Sequence, residues 1–162
     1  MPDHNAAVNV RFVRVRMHHT DLVGGVYHGT FFSLFDEART EMFRDLGYTW
    51  SDVVEGAGRL MVIVHVACDY KRPARMDDLL AIHIRIATLG KARLGFSYHV
   101  SLAETGETVA MGEQVFAFLA QHTGRPTSVP PRLVALARTT PGLLVADGEP
   151  SMVEGPNDER KK

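Results

Sequence analysis

The chain carries a single cysteine, Cys68, in 162 residues. That excludes an intrachain disulfide and agrees with a reducing compartment. It also lacks net charge: 18 basic against 19 acidic residues leave −1 at neutral pH, so no global field draws it to nucleic acid or to a membrane surface. No apolar run approaches the roughly 20 residues of a membrane span, and Met-Pro-Asp-His-Asn at the start has neither the basic nor the apolar region of a signal peptide. A cytoplasmic location is expected, with no nucleic-acid partner and no membrane insertion. A Gly-x-Ser-x-Gly elbow, a Walker loop, a dinucleotide fingerprint and paired metal-ligand spacings are all absent. No metal and no cofactor are therefore expected.

What is present is an ordinary globular composition, 45% hydrophobic and 23% charged, on a chain long enough to bury a substantial core as one domain. We assign that domain to residues 1–138. Residues 139–162, rich in Pro, Gly and charge, form a flexible tail, with disorder expected from Glu149 to Lys162.

The apolar pattern predicts α+β. Val8, Val10 and Phe12 alternate with polar residues, then Val13, Val15 and Met17 do so one position out of phase, which suggests a first strand with a bulge near Phe12-Val13. Phe31, Phe32, Leu34, Phe35, Ala38, Met42, Phe43 and Leu46 recur at spacings of three and four, a helix that Gly47 is placed to stop. Four strands follow: Arg59 to Tyr70, one around Ile82 to Ile86, one around Leu94 to Leu102, and Thr108 to Ala120. Short turns at Leu89-Gly90-Lys91 and Glu104-Thr105-Gly106-Glu107 make their pairing antiparallel, and Pro130-Pro131 opens a short helix through Leu136. One helix cannot cover both faces of such a sheet. Apolar residues on both faces of the second and fifth strands therefore predict a subunit contact.

The chemistry concentrates in His19-Thr20-Asp21-Leu22-Val23-Gly24-Gly25-Val26-Tyr27-His28-Gly29, just before the helix. The paired glycines admit unusual backbone angles and close approach by a ligand. Unpaired N–H groups at a helix start attract an anion or an oxygen gaining negative charge. A carboxylate beside such donors supplies a base or nucleophile next to an oxyanion site. The same residues also fit a plain turn with Asp21 as its Asx residue. His18, His19 and His28 have no metal-ligand spacing, His65, His83 and His99 fall on solvent or interface positions, and Cys68 reads as a small hydrophobe. Arg11, Arg14 and Arg16 read as a solvated strip.

Several stretches in order carry a family resemblance: Thr20-Asp21-x-x-Gly24-x-Val26-Tyr27-His28, Phe35-Asp36-x-Ala38-Arg39, Leu46-Gly47-Tyr48, Asp69-Tyr70-Lys71-Arg72-Pro73-Ala74-Arg75 with Asp77-Asp78, Leu89-Gly90-Lys91, and Thr123-Gly124-Arg125-Pro126. From about Val10 to Leu136 the chain resembles the hotdog-fold acyl-CoA thioesterases, in the branch containing 4-hydroxybenzoyl-CoA thioesterase and short-chain acyl-CoA thioesterases. The resemblance implies a five-stranded antiparallel sheet wrapped around one long helix. It implies a homodimer joined edge to edge as the minimum unit, often paired into a homotetramer, with the site at the dimer interface.

It further implies hydrolysis of an acyl-CoA or acyl-carrier-protein thioester, with Asp21 as base or nucleophile, the backbone N–H of His28 polarising the carbonyl, and the His28 side chain assisting. Gly24, Gly25, Tyr27 and Phe31 would shape the substrate site, while Lys71, Arg72, Arg75, Lys91, Arg93 and Arg125 would meet the CoA phosphates. Two departures stand out: many relatives have Asp in place of His19, and His-Ala-Asn-Tyr in place of His28-Gly29-Thr30-Phe31. Another branch places its carboxylate on the helix, which makes Asp36 or Glu37 the fallback catalyst. A binding module that has lost activity, or a hydratase or dehydratase on the same fold, is the alternative.

Overall fold

A computed structural model describes residues 9–49, 51 and 58–145. In chain order it contains β1 (Val10–Arg14), a 3-10 turn (Met17–His19), α1 (Thr30–Asp45), β2 (Arg59–Tyr70), β3 (Leu79–Leu89), β4 (Arg93–Leu102), β5 (Thr108–Ala120) and α2 (Pro131–Thr139). The five strands form one sheet in the order β1-β3-β4-β5-β2, and every pair is antiparallel. With α1 laid against the inner face, this is the hotdog fold that the resemblance implies.

The helix is held by its apolar stripe. Phe31, Leu34, Phe35, Ala38, Met42 and Phe43 are buried, each large side chain adding about 1.5–3 kcal/mol of hydrophobic stabilisation. Phe35 stacks on Tyr98 of β4 with ring centroids 4.4 Å apart, and Phe43 meets Phe96 edge-on at 6.2 Å. The helix stops where the sequence places the stop: Gly47 has φ +84°, its N–H donates to the Arg44 carbonyl and the Tyr48 N–H to the Phe43 carbonyl, a Schellman closure.

One polar group crosses the core. Arg39 is 7% exposed and lies over the Phe116 ring, 4.7 Å from its centroid. Its guanidinium donates to Gln114 Oε1 at 2.5 Å and pairs with Asp36 at 2.9 Å, while the Tyr98 hydroxyl donates to the same Gln114 oxygen at 2.8 Å. Burial pushes the Tyr98 phenol pKa well above its ordinary value, so it serves as a neutral donor. Asp36 is thereby tied to Arg39 and to the Gln114 amide.

The expected bulge near Phe12-Val13 is not found; β1 pairs with β3 in unbroken register from Val10↔His83 to Arg14↔Leu79. Phe12 points outward and is 56% exposed. Arg11 takes the inward phase with its guanidinium on Asp45, its aliphatic stem substituting for an apolar residue. Irregularities lie instead between Ile86 and Thr88 of β3, between Val100 and Ser101 of β4, and in β2, where the register shifts between Ile63 and His65. Met61 and Cys68, an odd number of residues apart, thus both pack on the core.

Past α2 the chain keeps contact with the sheet. Leu143 is fully buried and Ile86 of β3 donates to its carbonyl at 2.7 Å, so residues 140–145 of the expected tail pack on β3. The disorder expected from Glu149 to Lys162 lies outside the described residues. Among the described residues no helix is long and apolar enough to cross a membrane.

Candidate active site

The loop before α1 is a hydrogen-bonded turn. The Asp21 N–H donates to the Gly25 carbonyl at 2.9 Å, the Gly24 N–H to the Asp21 carbonyl at 3.0 Å, and the Val23 N–H to Asp21 Oδ1 at 2.9 Å. Gly24 has φ +83°, a conformation that favours glycine. Gly25 does not: a Cβ there would meet Pro73 at an ordinary 3.6 Å. Of the two glycines, then, only Gly24 is demanded by the backbone.

The loop is stitched to its surroundings on both sides. The Val26 N–H donates to the Ala74 carbonyl at 2.8 Å and the Tyr27 N–H to the His19 carbonyl at 2.9 Å. His19 does not pair with Asp21. Its Nδ1 accepts from the Arg16 N–H at 3.0 Å, and its pKa is lowered by burial first and by His18 next, against a raising influence from Glu37. The His19 imidazole braces the turn through this bond.

Helix α1 then begins without a side-chain cap. Its N-cap is Gly29, and no acidic residue lies in its first turn. Among the described residues the N–H groups of His28 and Gly29 have no hydrogen-bond acceptor. These are the donors a helix start offers to an anion. Gly29 matters for another reason: a Cβ would lie 2.8 Å from Tyr27 Cε1, so the space that a missing side chain leaves is taken by the Tyr27 ring, which also lies 4.2 Å from the His28 ring.

A cavity of about 340 Å³ opens at this point, lined by Asp21, Val26, His28, Phe31, Tyr70, Lys71, Arg72, Pro73 and Ala74. It gathers the carboxylate, the helix start, an apolar wall and two cations from the end of β2. Of the residues expected at the site, it brings together Asp21, His28, Phe31, Lys71 and Arg72. Gly24, Gly25, Tyr27 and Arg75 are not among the lining residues, and Arg75 is bridged to Gly25. Arg72 is engaged by Glu107 in an ion pair. Lys91, Arg93 and Arg125 sit at the other end of the sheet: Arg93 pairs with Ala117, and the Arg125 carbonyl accepts from Ala120, whereas Tyr70 pairs with Ala110.

Of the four lining residues beyond those expected, Val26, Tyr70, Pro73 and Ala74, Tyr70 carries a polar side chain. Its hydroxyl donates to the His28 carbonyl at 2.9 Å and its ring meets Phe31 edge-on at 5.5 Å. Its position immediately before Lys71-Arg72 was the available signal.

Residues 15–136 match the family described as the thioesterase-like superfamily. Among curated relatives, an acyl-CoA thioesterase of Haemophilus influenzae is 34% identical over 84 residues, 52% of this chain and 62% of that one. An acyl-CoA thioester hydrolase of Escherichia coli is 33% identical over 93 residues, 57% of this chain and 68% of that one. Matches to curated relatives span from 60% to 68% of those proteins' lengths. Among solved structures, a 1,4-dihydroxy-2-naphthoyl-CoA thioesterase from Synechocystis superposes with a TM-score of 0.75 at 19% identity, covering 80% of this chain and 95% of that one, a likeness of fold. Sheet order, helix placement and the family match over most of the chain agree: the chain belongs to the thioesterase-like superfamily.

Proposed function

We propose that the protein is a thioesterase that hydrolyses an acyl-CoA or acyl-carrier-protein thioester at the cavity before α1, in the branch containing 4-hydroxybenzoyl-CoA thioesterase and short-chain acyl-CoA thioesterases. The observation that carries this reading is the convergence of Asp21 and an uncapped helix start on one cavity. A thioester has weak resonance and a good thiolate leaving group, so a carboxylate and an oxyanion donor suffice. Asp21 attacks the carbonyl carbon or takes a proton from the attacking water. The carbonyl oxygen, gaining negative charge, is received by the N–H of His28, and one such donor is worth about 2.7–4 kcal/mol in other hydrolases. The tetrahedral centre then collapses and expels the thiolate, with the His28 imidazole assisting; where water attacked, the acid is released directly, and where Asp21 attacked, water then hydrolyses the resulting mixed anhydride to free acid and restores the carboxylate. Asp36, bound by Arg39 and Gln114, is the weaker candidate for the catalyst.

The working unit is a homodimer, paired further into a homotetramer. Strand β2 closes the sheet on one side and exposes Leu60, Ile63, Val64 and Val66, an edge that a free protomer leaves open to pairing. Antiparallel pairing of two β2 edges sets the Arg59 end of one strand beside the Tyr70 end of the other. Lys91, Arg93 and Arg125 of one protomer then approach the cavity of its partner, where Lys71, Arg72 and Arg75 also stand ready for CoA phosphates. The single cysteine supports a cytoplasmic setting.

Thiol release from a panel of acyl-CoAs by the wild type, Asp21→Ala and Asp21→Asn tests the reading. Both variants should lose at least about a hundredfold in kcat; near-wild-type turnover in both would remove Asp21 from the mechanism. Because Asp21 Oδ1 also closes its own turn, a binding module remains the second reading. Tight CoA-ester binding by calorimetry with no thiol released over hours would favour it.

A further inference from the structure

We propose that Tyr70 is a positioning residue that anchors the peptide next to the oxyanion donor, the His28 N–H, by donating its hydroxyl hydrogen bond to the His28 carbonyl. This rests on the thioesterase reading above and adds to it a residue 42 positions away in sequence from the peptide it fixes.

His28 lies on the short span between the Asp21 turn and α1, and among the described residues its N–H and that of Gly29 have no acceptor. An N-cap glycine provides no side chain to brace this span, so the two peptides depend on their carbonyls for orientation. The Tyr27 carbonyl accepts from the Thr30 N–H at 2.9 Å. The His28 carbonyl accepts from Tyr70 at 2.9 Å. Within a trans peptide the carbonyl and the following N–H share one plane and point in opposite directions, so anchoring the His28 oxygen fixes the plane that carries the Gly29 N–H and limits its angle to the preceding plane, which carries the His28 N–H.

The second effect is on charge. His28 and Tyr70 line the same cavity. A bare carbonyl oxygen there would oppose the negative charge that develops on the thioester oxygen, and a hydroxyl hydrogen on that carbonyl reduces the opposition. Tyr70 is suited to the task because it stays neutral: burial, and then Cys68, push its pKa up to about 12. The ring is fixed by Phe31 at the end of β2, where the strand still pairs with Ala110, so the donor sits on a rigid element rather than on a loop.

Tyr70→Phe removes the hydroxyl and keeps the ring against Phe31. Kinetics on the best acyl-CoA substrate should show kcat reduced about tenfold with KM within about twofold of wild type, and the melting temperature should stay close to wild type because Tyr70 is 47% exposed. The Gly29 amide resonance in a proton–nitrogen NMR spectrum of the ligand-free protein should move, since its own carbonyl partner has lost a donor. An unmoved Gly29 resonance overturns the proposal, as does an unchanged kcat. A raised KM with kcat intact also overturns it, because Tyr70 would then contact substrate rather than set the peptide. No turnover of any thioester by the wild type would instead remove the thioesterase reading and, with it, the role given to Tyr70; the wild-type control tells the two failures apart.

Discussion

The Phe35 ring of α1 occupies the place a side chain on Gly112 of β5 would take: a Cβ built on Gly112 would lie 2.2 Å from Phe35 Cε2. Phe35 cannot retreat, because its other face stacks on Tyr98 at 4.4 Å. Gly112→Ala should therefore destabilise by about 1–3 kcal/mol or more, as overpacking of a closed core does. Thermal unfolding of the variant would show it, and a melting temperature within a degree of wild type would mean that helix and sheet can separate more freely than this contact implies.

Gln114 is 1% exposed and its side-chain oxygen takes both the Arg39 and the Tyr98 donors. Gln114→Leu fits the volume but removes the acceptor, leaving a buried cation with less compensation. A loss of about 1–3 kcal/mol is expected in denaturant unfolding. Gln114→Glu keeps an acceptor for both donors but loses the amide that donates to Asp36 at 3.1 Å and sets a second carboxylate against it, so it should destabilise as well; a Gln114→Leu variant as stable as wild type would argue that shape rather than hydrogen bonding sets the cost.

The same comparison shows why parts of the fold were legible and others were not. Strands β2 and β5 were read to their observed ends, Arg59 to Tyr70 and Thr108 to Ala120, because long β-branched runs between turn residues leave little ambiguity. The phase of β1 was misread because hydrophobicity does not by itself assign a face on an edge strand; Arg11 turns inward to reach Asp45 and Phe12 turns outward. At the site, Asp21, His28 and Phe31 reach one cavity because they are neighbours in sequence around the helix start. Tyr70 reaches it through a contact between strand end and helix start that no local pattern encodes. Nor does local sequence say at which end of the sheet a surface cation falls, so Lys91, Arg93 and Arg125 were grouped with Lys71 and Arg72 although strand direction separates them.

Gly29→Ala adds a Cβ at the N-cap of α1. The clash it creates, 2.8 Å to Tyr27 Cε1, involves the far end of a side chain that is 48% exposed, so the ring can swing aside. Stability should change by less than about 1 kcal/mol, the gain from replacing glycine offsetting the displacement. The acyl preference should shift instead, as Tyr27 moves relative to the His28 ring, and identical kcat/KM ratios across the acyl-CoA panel would count against Tyr27 as a determinant of specificity.

His19 and His99 both have pKa values lowered in the fold. Burial is the first cause for each, with His18 next for His19 and His83 next for His99. The unfolded chain therefore binds more protons than the folded one as pH falls through the ordinary histidine range, so stability is fully present above about pH 6.5 and declines below it. His99 also meets the Thr108 hydroxyl at 2.9 Å, and His83 faces it with ring centroids 6.0 Å apart. Melting temperatures from pH 8 to pH 5 should fall for the wild type. His99→Gln should flatten part of that slope, and parallel curves for the two proteins would exclude His99 as a contributor.

Arg72 lines the cavity while its guanidinium is paired with Glu107. Exposed pairs of this kind contribute only about 0–1 kcal/mol, so little stability is lost when the guanidinium leaves Glu107 for a phosphate. Glu107→Gln should leave the melting temperature nearly unchanged and lower KM for acyl-CoA, because the guanidinium is released toward the ligand. Arg72→Ala should raise KM and weaken its dependence on salt, since one fewer cation meets the phosphates. The decisive comparison is with an acyl ester of a short thiol that carries no phosphate. If Arg72→Ala slows that substrate as much as it slows acyl-CoA, Arg72 shapes the cavity wall rather than binding the nucleotide end.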